Sequence, residues 1–169
     1  MKLVKPNIEY KNQVIEYKKE FLDYKENLAG ASYLQEYDSY ERWLEFLKDN
    51  EEESTKHTEV TADEFLLIRE NDNRVIGMIN IRHALNGYLY NYGGHIGYSV
   101  KKSERRKGYA KEMLKMALQH CIKFKMDKVL LTCDANNIAS ERTIKACGGV
   151  LENEVLNGGT LVKRYWIKL

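Results

Sequence analysis

The sequence predicts a mixed α/β domain folded around one sheet. Three observations predict it. The chain has 169 residues, the length of one ordinary domain. Strand-like apolar runs are interleaved with segments whose apolar residues recur at helical spacing, in the order strand, two helices, three strands, helix, strand, helix, two strands. The run from Lys128 to Cys133 is almost wholly apolar, as expected of a strand covered on both faces.

The elements follow in order. Leu3 to Lys5 reads as a short strand, broken by Pro6 and Asn7, with Asn7 a suitable helix N-cap. From Ile8, the residues Tyr10, Val14, Tyr17, Phe21, Tyr24 and Leu28 keep helical spacing, and Gly30 is placed to end that helix. A second helix is expected from Ser39 to Lys48, capped by Asp38, with Tyr40, Trp43, Leu44 and Leu47 on one face. Glu51 to Ser54 reads as a solvated loop. Glu64 to Arg69 and Val75 to Ile81 read as a hairpin around the turn Asn71-Asp72-Asn73. Leu85 to Gly94, rich in Tyr, Asn and Gly, reads as a loop or short helical turn before the strand His95–Val100.

The clearest helix runs from Gly108 to about Met126, with Ala110, Met113, Leu114, Ala117, Leu118 and Cys121 as its apolar stripe. After the strand Lys128–Cys133, a helix from Ile138 to Cys147 ends at Gly148-Gly149. Two final strands, Val150–Leu156 and Thr160–Ile167, flank the turn Asn157-Gly158-Gly159.

Composition narrows the function classes. Net charge is +2 with acids and bases intermixed, which predicts no nucleic-acid partner. Cys121, Cys133 and Cys147 are odd in number and far apart, so neither a disulfide framework nor a metal site is expected. No leader-like or membrane-spanning segment is apparent, so the expected location is the cytoplasm, with no membrane partner.

The chemistry concentrates after Val100. A strand ends, Lys101 to Glu104 connect, and a long helix opens at Arg105-Arg106-Lys107-Gly108-Tyr109-Ala110. The first N–H groups of a helix lack internal partners, and the helix dipole favours negative charge there. Gly108 lets a phosphate approach the backbone, Ala110 keeps the next contact small, and three basic residues add charge. Together these make a phosphate-type anion site. Neither the Walker loop nor the dinucleotide fingerprint occurs.

The string Arg105-x-x-Gly108-x-Ala110, after Gly97-Tyr98-Ser99-Val100 and before an amphipathic helix, resembles the GNAT (Gcn5-related N-acetyltransferase) superfamily. Asn136-Asn137-Ile138-Ala139-Ser140, after the Cys133 strand, resembles that family's second motif, with Gly149 where an aromatic is common. The resemblance implies the GNAT fold: one mixed, mostly antiparallel sheet, helices on both faces, and a splayed central strand pair. It implies acetyl-CoA as co-substrate, its pyrophosphate at Arg105–Ala110, its pantetheine near Asn137, and the acyl arm against the backbone of Tyr98, Ser99 and Val100. The reaction implied is direct attack by an amine of a small-molecule or peptide acceptor.

His95, at the start of the cofactor strand, is the candidate base, with an ordinary pKa near ~6.5. Ile144 occupies the position where many family members carry an acidic tyrosine, so the acid must come from elsewhere. Tyr165, Tyr98 and Cys147 are the candidates. Without a dedicated acid, a CoA-binding domain that serves as sensor or interaction module is the alternative reading. A homodimer stays open.

Overall fold

The computed structural model describes residues 1–52 and 60–169. Among the described residues, seven strands and four α-helices run β1 (Lys2–Val4), α1 (Lys11–Asp23), α2 (Tyr40–Glu52), β2 (Ala62–Arg69), β3 (Arg74–Arg82), β4 (Ile96–Val100), α3 (Tyr109–Lys123), β5 (Lys128–Asp134), α4 (Ile138–Ala146), β6 (Val150–Asn157) and β7 (Thr160–Lys168). The sheet is divided at its centre. One half has the order β1-β2-β3-β4 and the other β5-β7-β6, and every paired ladder is antiparallel. The division falls between β4 and β5, the strand pair expected to splay.

Helices cover both faces, which explains the nearly unbroken apolar character of β2 and β3. Phe65 and Leu67 point to α3, where they pack with Met113, Leu114 and Ala117. Leu66 and Ile68 point the other way, toward Val14, Tyr17 and Phe21 of α1 and Trp43 of α2. This alternation is the two-residue period of a strand. Glu64 shares the second face with Leu66, and Asn80 pairs directly across from it on β3.

The N-terminal third departs from its sequence pattern. The first helix ends at Asp23, not at Gly30. Leu28 is buried, but from the irregular segment that follows, so its helical spacing was coincidental. Gly30 serves a close approach instead. Its φ is 69°, and a Cβ there would lie 2.3 Å from the Gly97 carbonyl oxygen. Ser39, not Asp38, receives the Arg42 N–H at the start of α2. Glu51 and Glu52 extend that helix, while Glu53 and Ser54 lie outside the described residues. Asn7 does cap, but for a short 3-10 turn, Ile8–Tyr10, ahead of α1. The tyrosine-rich segment contains a π-helical turn, Leu89–Gly93, held by Thr132 Oγ1 and the Arg164 guanidinium on the carbonyls of Tyr92 and Tyr90.

Candidate active site

The connection from β4 to α3 is built as an anion receiver. Arg106 and Gly108 both hold left-handed backbone, with φ of 64° and 85°. Left-handed residues in a tight connection turn successive N–H groups toward a common point. The Glu112 N–H reaches back to the Gly108 carbonyl at 3.2 Å, so the helix's first N–H groups, from Tyr109 onward, have no partner within it. A Cβ on Gly108 would meet nothing within 4 Å. Backbone conformation therefore requires the glycine, and the space before the helix is open.

The basic residues divide the work. Arg105 Nε donates to the Val100 carbonyl at 3.1 Å, its guanidinium pairs with Glu26, and it lies over the Phe21 ring. It ties the loop to the segment after α1. The bond from Arg105 also holds the Glu26 carboxyl below its ordinary pKa. Lys107 and Arg69 both pair with Glu104, at 2.7 and 2.9 Å. Arg106 is exposed and, among the described residues, makes no ion pair. Tyr109 and Ala110 pack their side chains against the core.

On its outer edge β4 has no ladder partner. The His95 N–H donates to the Leu130 carbonyl at 2.7 Å, and the Leu130 N–H donates to His95 Nδ1 at 2.9 Å. Beyond this clasp no ladder joins β4 to β5. The gap opens into a cavity of about 710 Å³, reached by Gly97, Tyr98, Thr132, Asn137 and Ser140. The Tyr98 hydroxyl lies 2.9 Å from Ser140 Oγ, and burial pushes its pKa up to about 12. Asn137 Oδ1 accepts the Ser140 N–H at 3.0 Å and so caps α4. Its amide nitrogen is left for the cavity. Ser99 pairs across from Met78 of β3, and its hydroxyl turns away from the gap to accept from the buried Tyr17 hydroxyl at 3.1 Å.

The far wall of the cavity carries polar groups that the sequence reading did not single out as a site. Gly30 against Gly97 brings the segment that follows it down onto β3 and β4. Ser32, on that segment, lines the cavity. Its Oγ donates to Glu64 Oε2 at 2.7 Å and accepts from Asn80 Nδ2 at 2.9 Å. Glu64 is 1 % exposed, and its Oε1 has no hydrogen-bond partner. Burial raises its carboxyl to about 8, against the lowering effects of Ser32, Asn80 and Arg82. A carboxylate on the same strand face as Leu66 and Ile68 was the sequence signal for this group.

The other expected residues fall outside the cavity. His95 is not on its wall. Its Nδ1 accepts from Leu130, so in the neutral ring Nε2 carries the proton and neither nitrogen is free to accept another. Burial and the Arg82 charge lower its pKa to about 4. Tyr165 is fully buried in the core, with Lys145 of α4 over its ring and its hydroxyl unpartnered, and burial raises it to about 12. Ile144 is likewise core. Gly149 leaves no room for an aromatic, because a Cβ there would lie 2.4 Å from Ile144 Cγ2. Among the described residues no helix is long and apolar enough to cross a membrane, and no group of three or more metal-binding side chains gathers.

No curated protein matches the chain in sequence. The ribosomal L7/L12 alpha-N-protein acetyltransferase RimL, in complex with coenzyme A, superposes with a TM-score of 0.71 at 15 % identity, covering 99 % of this chain and 93 % of that one. Spermidine N-acetyltransferase from Vibrio cholerae, in complex with CoA and spermine, gives 0.67 at 16 % identity, covering 99 % and 94 %. A GNAT-family acetyltransferase from Bacillus anthracis gives 0.63 at 20 % identity, covering 98 % and 93 %. The family model of the acetyltransferase (GNAT) domain matches residues 18–150. The chain belongs to the GNAT acetyltransferase family, whose reaction is acyl transfer to an amine.

Proposed function

We propose that the protein transfers an acetyl group from acetyl-CoA to a primary amine by direct attack, with Glu64 as base acting through Ser32. One observation carries this reading: a buried, half-partnered carboxylate is wired by a hydroxyl to the cavity that opens beside the unpaired edge of β4. CoA-binding neighbours of the same fold support the choice of donor.

The pyrophosphate would rest on the N–H groups from Arg106 to Ala110, with Arg106 and Lys107 supplying charge and Arg105 holding the loop. The acyl arm would lie along Tyr98 to Val100, adding itself to the open strand edge, beside the Asn137 amide. Backbone N–H groups on that edge would stabilise the developing oxyanion.

Ser32 Oγ has one lone pair left after the Asn80 bond. It can take the proton of the incoming ammonium while passing its own to Glu64. A carboxyl poised near neutral pH is suited to that task. The amine nitrogen bonds to the acyl carbon, the carbon–sulfur bond breaks, the nitrogen releases its second proton to solvent to leave a neutral amide, and sulfur takes a proton. Tyr98 is the group on the cavity wall placed to give it, since its hydroxyl remains protonated at neutral pH. His95 then acts as a clasp between β4 and β5, and Tyr165 as a core residue.

The test is mass-spectrometric detection of acetylated products after incubation with acetyl-CoA and a mixed pool of amino acids, amines and peptides. Acetylated product that disappears in Glu64→Gln is expected. No acetylated amine from any pool would contradict the reading.

A further inference from the structure

We infer that the acceptor is an amino carboxylic acid, its carboxylate held by Arg82 and its amine set against Ser32. This rests on the amine-acetylation reading above and narrows its substrate class.

Arg82 lines the cavity. A guanidinium has five N–H donors. Among the described residues this one makes a single hydrogen bond, Nη1 to the Gly94 carbonyl at 3.1 Å, and no ion pair. Glu64 acts on it through charge but makes no hydrogen bond or ion pair with it, and its Oε1 stays unpartnered. The guanidinium is thus partly buried without a paired anion, and burial lowers its pKa from the ordinary value. A recessed cation with spare donors facing a cavity is completed by an anionic ligand. A carboxylate fits its planar fork with two parallel bonds.

Position decides what kind of ligand. Asn80, which holds the Ser32 hydroxyl, and Arg82 lie two residues apart on the same face of β3. That is about 7 Å of strand, a span the two ends of one small amino acid can bridge once both side chains reach inward. Nη2 of Arg82 lies 3.8 Å from where a Cβ of Gly97 would be. The carboxylate would therefore sit beside the start of the strand that receives the acyl arm. Tyr33, Tyr88 and Tyr92 line the rest of the wall, an aromatic surface for the acid's side chain. A polyamine brings only positive charge, and Arg82 would repel it.

The experiment measures kcat/KM for matched triplets, each an amino acid, its amide and its decarboxylated amine, with wild type, Arg82→Lys and Arg82→Gln. Wild type is expected to prefer the free acid over both partners by at least about tenfold. Arg82→Gln should collapse that ratio toward unity, and Arg82→Lys should restore part of it. Thermal melts of both variants separate misfolding from lost recognition. Equal or better turnover of the amide or amine by wild type would overturn the inference. If no amine is acetylated at all, the transfer reading fails, and calorimetric binding of the same triplets decides this claim alone. Binding of the acid but not its amide supports it, and equal binding overturns it.

Discussion

The Ser32 hydroxyl donates to Glu64 Oε2 at 2.7 Å, while Oε1 of the same buried carboxylate has no partner. A carboxylate kept from water and half-satisfied favours its protonated form. In the proposed mechanism this makes Glu64 the proton acceptor, connected to the cavity through Ser32.

Glu64→Gln preserves shape and hydrogen bonding but removes the proton acceptor. Turnover should fall by about 10²- to 10⁴-fold. In wild type, turnover should rise with pH around the Glu64 value of about 8, and the variant should lose that rise. A pH–rate series on both proteins checks this.

The same group makes a stability prediction. Unfolded, Glu64 ionises near its ordinary value of 4.5, whereas folded it holds its proton to about 8. Between those values the native state binds more protons, so this contribution to stability falls as pH rises through that window. Denaturant titrations at pH 5 and pH 8 should show a smaller pH dependence in Glu64→Gln.

His95 predicts the opposite slope. Its folded pKa is lowered to about 4 from 6.5, so the unfolded chain binds the extra proton between those values. Its contribution is whole above pH 6.5 and is lost as pH falls toward 4. His95→Ala strips the acceptor from the Leu130 N–H and should cost about 1–3 kcal/mol, while leaving the shape of the pH–rate profile intact. A changed profile would restore His95 as a base.

Tyr98→Phe tests the thiolate donor. Turnover should drop by ~10²-fold with KM for acetyl-CoA little changed. The phenyl ring keeps its packing against the core, so a matching fall in melting temperature is not expected.

Much of the fold was legible because its signals are local. The stripe of α3, the hairpin β2–β3 and the buried run of β5 each follow from a period read within one segment. The first helix was overrun because Tyr24 and Leu28 continue the spacing after the chain has left the helix. The phosphate loop was also legible, since its glycine, its basic residues and the following helix are contiguous. The Ser32–Glu64–Asn80–Arg82 wall was not. Its members come from three segments joined by the β2–β3 register and by the Gly30–Gly97 approach, neither of which leaves a spacing in the sequence.

The most direct test of acetyl-CoA-dependent transfer follows free CoA thiol released from acetyl-CoA over a panel of amines, with wild type, Gly108→Ala and Gly108→Glu. The left-handed backbone at 108 makes alanine cost about 1 kcal/mol of stability through strain alone, which separates strain from ligand exclusion. Amine-dependent release by wild type, largely kept in Gly108→Ala and lost with CoA binding in Gly108→Glu, is the predicted result. Undiminished CoA binding and release by a folded Gly108→Glu would contradict the account.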